Sequence, residues 1–96
     1  MIRLKIKEIN NSLYVLEDIN NNVYELTIYF YDIDNKAQVN DYLYMQEKLL
    51  SKINHSIISL GVLDSMYGKV IEEITDEDLV ILITNNKNIY LKRYYG

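Results

Sequence analysis

The chain of 96 residues contains no cysteine, no proline and no tryptophan, and it has a single histidine. Without cysteine there is no disulfide, no thiolate nucleophile and no cysteine-based metal site. Nucleophilic triads need a base beside a nucleophile, and zinc sites need several histidine or cysteine ligands. His55, which lies between Asn54 and Ser56, is therefore interpreted as a loop residue, and no catalytic or metal-binding residue is predicted.

Glycine and long apolar runs are also scarce. With three glycines the chain has no glycine-rich phosphate loop, so no nucleotide cofactor is predicted. The longest apolar runs, such as Leu79 to Ile83, are far too short to cross a bilayer. Met1 leads into charged residues and no signal-peptide-like stretch follows. We expect one cytoplasmic domain spanning residues 1–96, with no membrane partner and no cofactor.

Charge is moderate in amount and uneven in position. Fourteen acidic against ten basic residues give a net charge of −4, which works against general affinity for phosphate backbones. Five acids lie close together near the middle of the second half: Glu72, Glu73, Asp76, Glu77 and Asp78. We interpret them as a solvated acidic turn, because paired-acid catalysis needs two carboxyl groups held in a cleft. Enzyme activity is not predicted.

The first thirty residues have the pattern of a three-stranded meander. Ile2, Leu4 and Ile6 alternate with three cations, which is the period of a strand with one buried face. Leu13 to Leu16 and Val23 to Tyr31 follow, each after a cluster of asparagines suited to tight turns. In the third strand, the residues predicted to face inward are Tyr24, Leu26, Ile28 and Phe30.

A polar loop is predicted between Tyr31 and Asn40, followed by a turn in which Asn40 takes the place that glycine often holds. A short strand to Met45 and then a helix from Gln46 are favoured, because Leu49, Leu50 and Ile53 fall on one side of a helix. The alternative is one helix from Asp41 to Ile53, since Tyr42, Met45, Leu49 and Ile53 also fit that spacing.

The second half predicts further short strands. Ile57 to Leu60 is a candidate strand, residues 62–68 a loop, and Lys69 to Ile74 another candidate strand. After the acidic turn, the β-branched run Leu79 to Thr84 predicts a strand buried on both faces. Asn85 to Asn88 signals a hairpin turn, and Ile89 to Tyr94 is the last strand, with Ile89 and Leu91 inward.

These elements predict a mainly β fold: a small closed or partly open antiparallel barrel with one short helix. Closure into a barrel removes the unpaired edges of a meander. The order of elements resembles a small OB-type barrel, with an SH3-like barrel as the alternative. Separately, the stretches 60–68 and 76–96 resemble a family of short bacterial proteins with no assigned activity, and this resemblance implies no active site.

The remaining signal is a surface. Ten tyrosines against one phenylalanine are unusual, and tyrosine is enriched at protein interfaces. If the first and last strands are near neighbours in the barrel, cations and rings form one mixed face. Its candidate binding residues are Arg3, Lys5, Lys7, Tyr29, Tyr31, Tyr90, Lys92 and Tyr94.

Three functions remain open. The first is a non-catalytic protein-interaction module, which includes self-association. The second is a binder of single-stranded nucleic acid, in which bases stack on rings and cations meet phosphates. The third is an enzyme or a carrier of a small ligand, which requires a pocket of at least ~300 Å³ with convergent polar groups.

Overall fold

The computed structural model describes residues 1–31, 37–63 and 70–94. Their strands and helices, in chain order, are β1 (Ile2–Asn10), β2 (Leu13–Glu17), β3 (Val23–Tyr31), β4 (Tyr42–Met45), α1 (Glu47–Ile53), β5 (Ile57–Val62), a 3₁₀ turn (Ile71–Glu73), β6 (Leu79–Thr84) and β7 (Lys87–Arg93). The predicted loops fall partly on residues 32–36 and 64–69, which lie outside the described residues.

The strands close into one barrel in the order β1-β2-β3-β5-β7-β6-β4, with β4 returning to β1. Six of the seven pairings between described strands are antiparallel, and the seventh, β3 with β5, is parallel. The prediction of a small, mainly β barrel with one short helix is confirmed. Among the described residues, no helix is long and apolar enough to cross a membrane.

The interior is packed with aliphatic side chains. Leu4, Ile6, Leu26 and Ile28 face inward and are almost fully buried, as predicted from the period-two pattern. Leu49, Leu50 and Ile53 of α1 join the same core. Burying one side chain of this size stabilises the fold by about 1.5–3 kcal/mol. The inward-facing residues of β1 and β3 therefore contribute a large part of the free energy that stabilises the barrel.

Asparagine closes most of the turns. Asn11, Asn21, Asn40, Asn85 and Asn86 all have positive φ values, between 49° and 77°. Most L-residues avoid this region, but asparagine tolerates it. Asn85 and Asn86 both have positive φ, which is the backbone conformation that a type I′ two-residue β-hairpin turn requires. The predicted turns at these asparagines are therefore confirmed.

Residues 42–53 form a strand followed by a helix, and the single-helix alternative is wrong. Tyr42–Met45 pairs with β1 on one side and β6 on the other, which a helix from Asp41 could not do. Leu43 and Met45 point into the barrel while Tyr42 and Tyr44 point out. The helix begins at Glu47. Buried residues lie two positions apart before it and three or four positions apart within it.

The predicted strand from Lys69 to Ile74 is not a strand within the described residues 70–74. Ile71–Glu73 is a 3₁₀ turn, and Lys69 lies outside the described part. The reason is that β6 already pairs with β4 and β7, which leaves no edge for another strand. Instead, Ile71 and Ile74 pack on the outer face of β6 against Leu79 and Ile81. This second cluster explains why β6 is buried on both faces, as predicted.

Candidate functional site

The predicted binding residues do not form one face. Around the closed barrel, β4 and β6 lie between β1 and β7 on one side, and β2, β3 and β5 lie between them on the other. The expectation that the first and last strands are near neighbours is wrong. The cause is the β6-β7 hairpin, which is inserted between β4 and β5 and so moves β7 to the wall opposite β1.

The cations of β1 have different aromatic neighbours from those predicted. Arg3 and Lys7 are exposed and Lys5 is half-buried. The Arg3 guanidinium carbon lies 4.9 Å from the centre of the Tyr42 ring, a cation–π contact. Lys5 stands opposite Tyr42 on β4 and Glu17 on β2. The rings beside these cations therefore belong to β4.

Three of the four predicted tyrosines do come together, two on the outer face of β3 and Tyr94 directly after the end of β7. Tyr29 lies beside Ser59 and Tyr31 beside Gly61 on β5. The Tyr94 N–H donates a hydrogen bond of 2.8 Å to the Ser59 carbonyl, which brings its ring over the same strand. The Tyr31 and Tyr94 ring centres are 5.1 Å apart, a distance typical of a favourable aromatic pair. Exposure of the three side chains is 43–53%.

An uncharged surface continues from these rings across β2. Thr27 stands between Leu13 on β2 and Ile57 on β5, and Ile57 remains 62% exposed. At Gly61 the space above the strand is open, since a Cβ built there would meet no atom within 4 Å. We call this surface the tyrosine wall; it consists of Leu13, Thr27, Tyr29, Tyr31, Ile57, Ser59, Gly61 and Tyr94, none of which carries a charge at neutral pH.

Lys92 stands at the border of the tyrosine wall, opposite Gly61. Its ammonium forms an ion pair of 3.2 Å with Asp76. The pKa of Asp76 is lowered by a hydrogen bond from the Asp78 backbone N–H and by Lys92, so this carboxylate stays charged beside the lysine. Lys92, a cation next to the rings, is thus already compensated by Asp76 of the acidic turn.

Tyr90 does not belong to the tyrosine wall. It faces outward as predicted, but it stands opposite Ile81 and packs into the cluster that covers β6, with Leu63 and Tyr44. Tyr90 is half-buried in this cluster and helps to cover the outer side of β6. The structure therefore places Tyr90 apart from the other three predicted tyrosines.

Sequence reasoning missed several members of the wall: Leu13, Thr27, Ile57, Ser59 and Gly61. The alternation of Ile57-Ile58-Ser59-Leu60-Gly61 predicts a strand whose odd positions face outward. It contains no indication that β5 pairs in parallel with β3 and in antiparallel with β7. Only that pairing puts the small residues Ser59 and Gly61 between the tyrosines.

A cleft of about 780 Å³ lies at one end of the barrel, outside the packed interior. It is bordered by the start of β1, the β2–β3 turn and α1, and residues of all three line it. Among the residues that the structure describes, no three histidine, cysteine, aspartate or glutamate side chains are grouped so as to hold a metal ion.

Comparison with known proteins finds no matching family model, no similar curated protein and no similar solved structure.

Proposed function

We propose that this protein is a non-catalytic protein-binding module that docks through the tyrosine wall, and that its partner is a second copy of the same chain. The observation that carries the proposal is the cluster of exposed tyrosine rings together with the uncharged described residues beside them on β2, β3 and β5. Tyrosine supplies large contact area at low entropic cost, and charged residues are depleted in the centre of interfaces. The proposal includes a cytoplasmic location, which a chain without cysteine tolerates.

Charge supports a second copy as the partner. Each chain carries a net charge of −4, so two copies repel unless they meet where neither is charged. The tyrosine wall is such a region, and the adjacent Lys92 is neutralised by Asp76. A two-fold interface also needs a self-complementary surface. The wall offers both protruding rings and, at Gly61, an open space next to them.

The size of the wall suggests a weak dimer. At 43–53% exposure, the three tyrosines present roughly 300 Å² in total, taking ~200 Å² for a whole ring side chain. Ile57 and Leu13 add to this, but the sum stays below the ~800 Å² per partner of a standard stable interface. We therefore expect a dissociation constant in the range of roughly 10 µM to 1 mM, with fast exchange.

Sedimentation equilibrium over a wide concentration range tests this proposal. The natural chain should show a monomer–dimer equilibrium, and Tyr29→Lys and Tyr94→Lys should each weaken it at least tenfold, because a two-fold contact would bring two like charges together. Val39→Lys is the matched control: it adds the same charge at an exposed valine in the turn before β4 and should leave the equilibrium unchanged.

A chain that stays monomeric at ~1 mM contradicts self-association. Equal weakening by the wall variants and by Val39→Lys contradicts the assignment of the surface, because net charge alone would then explain the effect. Circular dichroism of each variant excludes unfolding as the cause.

Single-stranded nucleic acid is the alternative partner, and the arrangement of the residues gives it less support. The β1 cations and the wall tyrosines lie on different sides of the barrel. A single nucleic-acid strand therefore cannot stack its bases on these rings while its phosphates contact these cations, as the predicted mixed face required. Oligonucleotide binding at ~50 mM salt that is lost in Lys5→Glu, and retained in Tyr94→Lys, would overturn our preference for a protein partner.

A further inference from the structure

The cleft at the end of the barrel is separate from the tyrosine wall. Its apolar surface comes from Ile2 on β1, Ile19 in the β2–β3 turn and Leu50 on α1, and its rings from Tyr24 and Tyr44. Ile19 is 82% exposed. At about 780 Å³ the cleft lies within the ~300–1,000 Å³ range of small-molecule sites.

One carboxylate of the cleft is fixed in position. Asp18 Oδ1 accepts hydrogen bonds of 2.9 Å from the backbone N–H groups of Asn20 and Asn22. Its Oδ2 accepts one of 2.9 Å from the Asn22 side-chain amide and one of 3.2 Å from the Tyr24 hydroxyl. These donors, chiefly Asn22, lower the pKa of Asp18, so it is a permanent negative charge at the wall of the cleft.

The second carboxylate, Glu47, has no partner of its own. In the described part of the chain, no ion pair or hydrogen bond engages its side chain. Its charge acts on the Tyr24 hydroxyl: the pKa of Tyr24 is raised by desolvation, by the hydrogen bond and charge of Asp18, and by the charge of Glu47. Both carboxylates therefore act electrostatically on the same hydroxyl, and both line the cleft.

The neighbouring lysines are directed elsewhere. Lys48 and Lys52 of α1 pair with Glu77 at 3.7 and 3.2 Å. Arg3 also lines the cleft, but its guanidinium lies against the ring of Tyr42, and Tyr42 is not part of the cleft lining. The cleft thus contains two carboxylates, two rings and three aliphatic side chains. Met1 and Arg3 also line it, but within the described residues no cation forms an ion pair with Glu47.

We propose that this cleft binds a primary ammonium group carried on a short aliphatic chain. The ammonium lies between Glu47 and Asp18 and against the rings of Tyr24 and Tyr44, which attract cations through their faces. The methylene groups lie against Ile2, Ile19 and Leu50. Both a free alkylamine and the side chain of a lysine in a peptide have this chemistry.

Chemical-shift titration of the isotope-labelled chain with butylammonium tests the proposal, with butan-1-ol as the uncharged probe of the same shape. Butylammonium should give saturable shifts at residues of the cleft, and butan-1-ol should bind at least fivefold more weakly. Glu47→Gln should weaken butylammonium binding about fivefold, in the range that one partly exposed ion pair provides.

Glu72→Gln is the matched control: it removes the same charge at an exposed acid of the 3₁₀ turn, outside the cleft lining, and should leave binding unchanged. Equal affinity for butylammonium and butan-1-ol overturns the proposal, and so does an unchanged affinity in Glu47→Gln. Shifts that remain linear to ~100 mM overturn it as well, because they mean no site of useful strength.

Spermidine and Nα-acetyl-lysine-methylamide, titrated in parallel, distinguish the two sources. Tighter binding of spermidine assigns the site to free polyamines, and tighter binding of the lysine amide assigns it to peptides. Since Tyr94→Lys lies on the other surface, it should leave the titration unchanged.

Discussion

Asparagine occupies most of the left-handed backbone positions in the described ranges, and this could be predicted from the sequence. The clusters at 10–11, 20–22 and 85–86 stand between strand-like segments, and five of the six non-glycine residues with positive φ in the described ranges are asparagines. The sixth is His55, with φ of 65°. It is a loop residue, as predicted, but nothing in its neighbourhood in the sequence indicates the left-handed conformation.

His55→Gly is expected to stabilise the protein. The backbone N–H of His55 donates a hydrogen bond of 2.7 Å to the Glu25 carbonyl, which holds the residue in the left-handed region at a cost of about 1 kcal/mol for an L-residue. Glycine removes that cost but loses more entropy on folding, so we expect a net gain of roughly 0.5 kcal/mol in the free energy of unfolding, measured with urea.

Ser56→Gly is the control for this prediction. Ser56 does not have a positive φ, so glycine there brings the entropic loss without relieving any strain and should lower stability. If both glycine variants lower stability equally, the backbone strain at His55 is refuted.

At the scale of the elements, the sequence predicts what each strand looks like but not which strand it pairs with. Tyr42-Leu43-Tyr44-Met45 has a clear inward and outward side, yet its pairing with β1 and β6 depends on distant residues. The same holds for Ile57 to Val62, whose parallel partner β3 is separated from it by β4 and α1. Period-two alternation predicts which side chains of a strand face inward. Which strand it pairs with, and in which register, depends on how the whole barrel closes.

The 3₁₀ turn and Ile74 show that a segment with a strand-like local pattern need not form a strand. Residues 70–74 have strand-like composition, and without the strand order one cannot know that β6 has no free edge. Their apolar side chains instead cover the outer face of β6, where Leu79 and Ile81 are 0–1% exposed. A short irregular segment thus has the stabilising role of a core element.

Ile74→Ala is expected to lower the free energy of unfolding by about 2–4 kcal/mol, the range for deleting a buried isoleucine side chain. Ile74 is 5% exposed and packs on Leu79 and Ile81. Val70→Ala, at a residue that is 52% exposed, should change stability by less than ~0.5 kcal/mol. Urea unfolding of both variants measures the difference, and similar losses would mean that the segment does not cover β6.

At the scale of the whole molecule, the closed barrel with a filled interior follows from composition and alternation, whereas the location of the binding surface does not. The mixed face of cations and tyrosines required β1 and β7 to be neighbours, and strand order separates them. What remains is an uncharged wall on a chain of net charge −4. The distribution of charge over the barrel, and not the number of cations, therefore decides which partner is favoured.

Salt separates the two classes of partner. If two acidic copies meet through the tyrosine wall, added salt screens their long-range repulsion, so dimerisation should strengthen between ~20 and ~300 mM sodium chloride. Binding to a phosphate backbone should weaken steeply over the same range. Sedimentation at several salt concentrations measures the first effect, and dimerisation that weakens with salt would refute an uncharged contact.

The insertion of the β6-β7 hairpin between β4 and β5 has a consequence for the newborn chain. Synthesis starts at the N-terminus, so β4, β1, β2, β3 and β5 emerge before the two strands that join their outer ends. Until the hairpin arrives, β4 and β5 each have a row of unsatisfied backbone groups, which is the usual starting point for aggregation. Ribosome stalling or truncation before residue 79 should thus leave an open sheet that depends on chaperones for its solubility.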